Sequence, residues 1–183
     1  VTMTIDAAAD ARAELVSKIR EIVARDEAAA PTSQAVAGVL EHYLGVPGLV
    51  PASARVSNPE AYQQNLLHVE DDGSFSIVAL VWLPGQRTPV HDHISWCVVG
   101  VYEGNESELR YRVVDDAAGD YLVETGTGVN LHGSVEGFAP PGDLHEVWNS
   151  GDSLAISIHV YGADIRKLGS SIRRRYDLPV RAA

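Results

Sequence analysis

The chain has one cysteine, no long uninterrupted apolar run and no excess of positive charge, and each shortage removes a class of protein. A single cysteine cannot close an internal disulfide, so the fold is not stapled, as suits a reducing compartment. No window approaches about 18 successive apolar residues. The N-terminus, Val1-Thr-Met3-Thr-Ile-Asp6, shows no basic stretch followed by an apolar one, so no membrane span or secretory leader is expected and the expected location is cytoplasmic. With 14 basic against 25 acidic residues the net charge is -11, the wrong sign for nucleic acid or an anionic membrane as partner. Internal repeats and low-complexity segments are also missing. What is left is 183 residues, enough for one domain with its own core and a small-molecule task in solution. The oligomeric state is left open.

From residue 11 to about 30 the apolar residues Leu15, Val16, Ile19, Ile22 and Val23 recur at helical spacing among charges, which predicts an amphipathic helix. Pro31-Thr-Ser33 is read as its break and as the N-cap of a second helix carrying Val36, Val39, Leu40 and Tyr43, stopped by Gly45-Val-Pro47. A short helical turn is expected at Asn58-Pro59-Glu60. Runs rich in β-branched and aromatic residues follow: Ser74 to Leu83, Trp96 to Tyr102, Leu109 to Val114, Tyr121 to Val123, Val135 to Phe138 and Leu154 to Tyr161. Gly, Asp and Asn turns separate them, which is the signature of a sandwich or barrel. After Gly162 the spacing of Ile165, Leu168 and Ile172 predicts a last helix. The expected architecture is mainly β: a small barrel over about 62–161, with helices over about 11–45 and 163–176.

The candidate site lies in two punctuated segments. In Gly85-Gln-Arg-Thr-Pro-Val-His91-Asp-His93, followed by Ile-Ser-Trp-Cys97 and ending at Gly104, two histidines one residue apart share a strand face. Both imidazoles can then reach one metal ion. The second segment, Pro140-Pro-Gly142-Asp-Leu-His145-Glu-Val-Trp-Asn149, supplies a third. Three neutral imidazoles suit a borderline divalent metal such as iron or zinc and leave positions open for other ligands. Together the segments resemble the two cupin motifs, with Cys97 standing where the first motif has a glutamate. His42, His68 and His132 lack such context and read as surface or packing residues.

Further along, Ser157, His159 and Tyr161 alternate with Ile156, Ile158 and Val160, so a polar stripe shares one strand face. Inside a barrel such a stripe is costly unless its members bond to one another or to a ligand. The stripe, the segment Tyr62-Gln-Gln-Asn-Leu66 and the His-Asp-His of residues 91–93 are similar to the thiol dioxygenases, the cysteine dioxygenase family of cupins. The likeness runs from about Tyr62 to Tyr161. It implies an Fe(II) held by His91, His93 and His145, at which a small thiol carboxylic acid reacts with O2 to give a sulfinic acid. Tyr161 would be the phenol beside the substrate, oriented by His159 and Ser157.

Two positions depart from the cysteine-specific branch. Gln64 stands where that branch has a carboxylate-binding arginine, and a neutral amide cannot make the bidentate charged pair of a guanidinium. The glutamine resembles the bacterial branch of 3-mercaptopropionate dioxygenase, in which an arginine after the stripe meets the carboxylate; Arg166 and Arg173 are the candidates. Mammalian members carry a cysteine near Cys97 that forms a thioether with the active-site tyrosine, so Cys97 is either a partner to Tyr161 or an inert buried thiol, and the inert thiol is preferred. The competing functional readings are cysteine dioxygenase proper, another cupin oxygenase acting on a carbon substrate, and a metal-binding cupin sensor without catalysis.

Overall fold

The computed structural model describes residues 2–117 and 119–182. Helix α1 spans Thr2–Val23 and α2 spans Ala29–Glu41. The first helix ends earlier than its periodicity suggested, in a turn through Ala24 and Arg25 at which Asp26 takes a left-handed φ of 53°. Pro31 falls in the first turn of α2, where a missing N–H costs nothing. It therefore opens a helix rather than breaking one. Thr32 and Ser33 are not caps; their hydroxyls donate back to Ala28 O at 3.0 Å and Ala30 O at 2.9 Å. The turn expected at Asn58 is a bend in which Glu60 N donates to Asn58 Oδ1, and a short 3-10 turn occupies Ala52–Ala54 instead.

Strands β1 (Gln63–Val69), β2 (Ser76–Trp82), β3 (His91–His93), β4 (Cys97–Glu103), β5 (Asn105–Val114), β6 (Tyr121–Leu131), β7 (Val135–Phe138), β8 (His145–Trp148) and β9 (Ala155–Tyr161) follow. After β9 come one helical turn, α3 (Ile165–Leu168), and strands β10 (Ile172–Arg175) and β11 (Val180–Arg181). The long C-terminal helix is thus not formed. Asp164 caps α3 by accepting from Arg166 N, and Gly169, at φ 74°, stops it one turn later, because a left-handed residue at this position terminates a helix. Ile172 to Arg175 then pairs antiparallel with β3. Spacing over one turn does not separate a helix from a strand.

The strands form two sheets, ordered β1-β2-β9-β4-β7 and β10-β3-β8-β5-β6-β11, as in a cupin barrel. Strands β2 and β9 are buried along their whole length because both faces are covered. Ile77, Ala79, Val81, Ile156, Ile158 and Val160 pack outward under Leu15, Ile19, Val36 and Leu40 of the two helices. The alternate residues, among them Leu80, Trp82, Ser157, His159 and Tyr161, turn inward. Helix α2 approaches the sheet so closely that a Cβ on Gly137 would lie 2.6 Å from Ser33 O, and one on Gly100 would lie 2.9 Å from Leu40 Cδ2. A β-sheet backed by helices on one side leaves its other face for a site.

Candidate metal centre and relay

His91 and His93 point the same way from β3, and β8 places His145 directly opposite His91. The three side chains are buried, and their nearest ring nitrogens all lie within 4.8 Å of one another. Each Nδ1 has a partner that requires it to carry the proton. His91 Nδ1 donates to Pro89 O at 2.9 Å, His93 Nδ1 to Asp143 Oδ2 at 3.0 Å and His145 Nδ1 to Glu108 Oε1 at 2.6 Å. A neutral imidazole with Nδ1–H offers its lone pair at Nε2, so three acceptors face one point. Burial, reinforced by His145 and His93, pushes His91 down to about 3, and burial holds His93 below its usual value as well. Burial thus favours the neutral form, with its free lone pair, at His91 and His93, and these two with His145 make three nitrogen donors. They fit a divalent transition metal with free coordination positions.

Asp143 and Glu108 stand behind the metal-site histidines, and the two sequence motifs did not single them out. Burial raises the Asp143 carboxyl, but the hydrogen bonds from His93 outweigh it and leave the group below its usual range. Glu108 behaves alike: the burial penalty is overcome by His145 and Arg110. Both are therefore anions, and carboxylates behind ligating histidines fix the ring orientation and raise donor strength. They would also offset part of the charge of a dication held by the three imidazoles. Asp143 was visible as the residue two before His145; Glu108 gave no signal until β5 paired with β8.

Beside the histidines runs the stripe of β9. Tyr161 OH lies 2.9 Å from His159 Nδ1, and His159 Nε2 lies 2.9 Å from Ser157 Oγ. Trp82 Nε1 donates to Ser157 Oγ at 3.1 Å and is itself stacked on Tyr62, with ring centroids 4.4 Å apart. Burial pushes His159 down to about 3 and Tyr161 well above the usual phenol range. All three residues of the stripe are buried and face the barrel interior. Tyr161, His159, Gln64, Tyr62 and the three metal-site histidines line one narrow cavity, closed on the side of the tail by Ser170, Ser171 and Ile172.

Cys97 is fully buried and stands opposite Tyr161 in the pairing of β4 with β9, outside the group of converging metal donors. Burial raises its thiol well above the usual range. Gln64 lines the cavity with its amide directed to Gly169 O at 3.5 Å. Arg166 and Arg173, expected near a substrate carboxylate, do not line it. Arg166 is half-exposed and paired with the cap residue Asp164. On β10 the alternation sends Ile172 inward and Arg173 outward to Asp92, which also accepts from Tyr176 OH at 2.7 Å. Arg175, which does not line the cavity either, stands opposite His91 on β10 and within electrostatic reach of Tyr62. Helical spacing over about 163–176 gives no sign of this placement, which follows from the pairing of β10 with β3.

Fold and site together define a cupin whose three buried histidines can bind a metal. The sequence matches the family described as cysteine dioxygenase type I over residues 2–170, and the chain belongs to that family, whose members are dioxygenase-type enzymes. Solved structures give a more distant likeness. A protein from Thermus thermophilus is 23% identical, covers 60% of this chain and 90% of its own, and superposes with a TM-score of 0.44. A double-stranded β-helix protein from Klebsiella pneumoniae is 18% identical over 61% of this chain and 80% of its own, with a TM-score of 0.47. For a cupin from Desulfovibrio desulfuricans the values are 19%, 62%, 93% and 0.44.

Proposed function

We propose that this protein is a non-haem iron thiol dioxygenase that converts the thiol of a small mercapto acid, preferentially 3-mercaptopropionate, to a sulfinic acid with O2. The observation that carries this reading is the cavity that the three histidines, the Tyr161 hydroxyl and Gln64 share. His91, His93 and His145 would hold the iron through Nε2. When bound, iron supplies coordination positions and the redox capacity that O2 chemistry at sulfur requires.

The chain's own residues do the rest. Asp143, Glu108 and Pro89 O keep the three rings in one tautomer and one orientation. Tyr161, backed by neutral His159, holds a hydroxyl beside the reacting atoms. Phe138, Val99 and Val147 exclude water from the cavity wall. Gln64 offers an amide to the substrate carboxylate, and Arg175, opposite His91 on β10 and within electrostatic reach of Tyr62, supplies positive charge in place of Arg166 and Arg173. Oxygen uptake by the Fe(II)-loaded protein with a panel of small thiols tests the reading: stoichiometric conversion of a mercapto acid to its sulfinate is expected, and no uptake with any thiol would remove it.

A further inference from the structure

Glu106 lies inside the barrel, fully buried, with neither carboxyl oxygen hydrogen-bonded. It precedes Glu108 by two residues on β5, so both carboxyl groups turn to the same face. Glu108 serves His145. Glu106 instead sits beside the Ser157 hydroxyl and the Trp82 indole, at the end of the stripe remote from Tyr161. An ionised carboxylate without a partner is costly in such a place, and an apolar side chain would be the simpler filling.

A count of protons shows what the carboxyl group can do. Ser157 Oγ accepts from Trp82, and neutral His159 has one N–H to share between Ser157 and Tyr161. If that proton is on Nε2, it points at Ser157, whose own hydroxyl proton then needs an acceptor, and Tyr161 donates to Nδ1. If it is on Nδ1, Ser157 donates to Nε2, and the second lone pair of Ser157 needs a donor. Tyr161 then accepts, and its hydroxyl proton is free to point into the cavity. An ionised Glu106 fits the first arrangement and a protonated one the second.

We propose that Glu106 is the proton-holding terminus of the Tyr161–His159–Ser157 chain and that its protonation sets the direction of these hydrogen bonds, and so whether Tyr161 offers a proton to the cavity. It is a positioning residue that acts through the other three. A cavity of about 20 Å3 lined by Glu106, Asn130, Ser134 and the partly exposed Glu136 leads away from it. This is room for about one water molecule, enough to carry a proton inward. The titratable groups around Glu106 are Glu108 on β5, Glu136 on β7, His145 on β8, and His159 and Tyr161 on β9. Burial, with Glu108 adding to it, raises Glu106 to about 7, which places the exchange between arrangements near neutrality.

The consequence for turnover rests on the thiol dioxygenase reading; the chain itself does not, and two measurements keep them apart. The first is nitrogen NMR of the full chain loaded with diamagnetic zinc, with the His159 signals identified by their loss in His159→Asn. The His159 proton is expected on Nδ1 below neutrality and on Nε2 above it, and Glu106→Gln and Glu106→Leu should both abolish this switch. A tautomer that does not change with pH in the unsubstituted protein, or a switch that survives in both variants, overturns the proposal. The second is the pH profile of thiol oxidation, in which Glu106→Gln should remove a limb near neutrality and have no further effect in a Tyr161→Phe background. An equal loss of rate in that background would place Glu106 outside the chain and also overturn the proposal. If no thiol is oxidised, the functional reading falls and the tautomer alone decides.

Discussion

At the scale of single residues, the site depends as much on what stands behind the histidines as on the histidines themselves. Replacing His145 by Ala removes a metal donor and should abolish stoichiometric iron binding while the barrel stays folded, because an open site does not hold the core together. Glu108→Gln keeps all three donors but weakens the acceptor that fixes the His145 ring, so iron affinity should fall by about 10- to 100-fold. Metal analysis and competitive titration against a chelator check both. Glu106 gives a prediction about stability. Its folded value of about 7 lies above the ordinary 4.5, so between these values the folded state binds the more protons, and stability falls as pH rises through the window. The full penalty applies above pH 7 and is absent below about 4.5. Glu106→Gln should therefore be more stable than the natural chain at pH 8, by up to about 3 kcal/mol, with little difference at pH 4.5. Denaturant unfolding at the two pH values reads the sign.

At the scale of elements, register and close approach decide which side chains meet. Helix α2 can lie on β7 only because Gly137 has no side chain. Gly137→Ala must push the helix outward or strain the strand, at a cost of about 1–3 kcal/mol, which a thermal melt would show as a lowered Tm with the iron site intact. The pairing of β4 with β9 puts Cys97 opposite Tyr161, and directly opposed residues are close neighbours. Burial keeps the thiol protonated, and the isolated chain should carry it free. Its intact mass under denaturing, reducing conditions should match the unmodified sequence; a mass lower by two hydrogens would establish a thioether. The tail is anchored by Asp92, which sits between two metal-site histidines yet faces away from them to receive Arg173 and Tyr176.

At the scale of the whole molecule, the charge of -11 repels an anionic substrate, so recognition has to be local. No helix among the described residues is long and apolar enough to cross a membrane. The cavity offers a carboxylate the Gln64 amide and no buried guanidinium, and the Asp143 and Glu108 carboxylates already offset a bound dication. L-Cysteine brings an ammonium group that must be solvated or coordinated, whereas 3-mercaptopropionate brings none. The expected preference for 3-mercaptopropionate in kcat/KM is at least about tenfold, the effect of ~1.4 kcal/mol. Steady-state kinetics with both thiols at one pH decides this, and equal values would return the protein to the cysteine-oxidising branch.

The sequence by itself determined the β-rich barrel, the pair His91 and His93, the third histidine at His145 and the stripe Ser157, His159, Tyr161. All of these rest on local periodicity and on punctuation by glycine and proline, which a linear chain displays directly. Strand β1, which carries Gln64, and the conversion of the expected last helix into β10 were decided by tertiary pairing, because an isolated short segment has no preference strong enough to choose. The same holds for Asp143 and Glu108 behind the metal-site histidines, for Arg175 opposite His91 on β10, and for Glu106 beside Ser157. Their positions depend on which strands lie side by side, and that is set when both faces of β2 and β9 are buried at once.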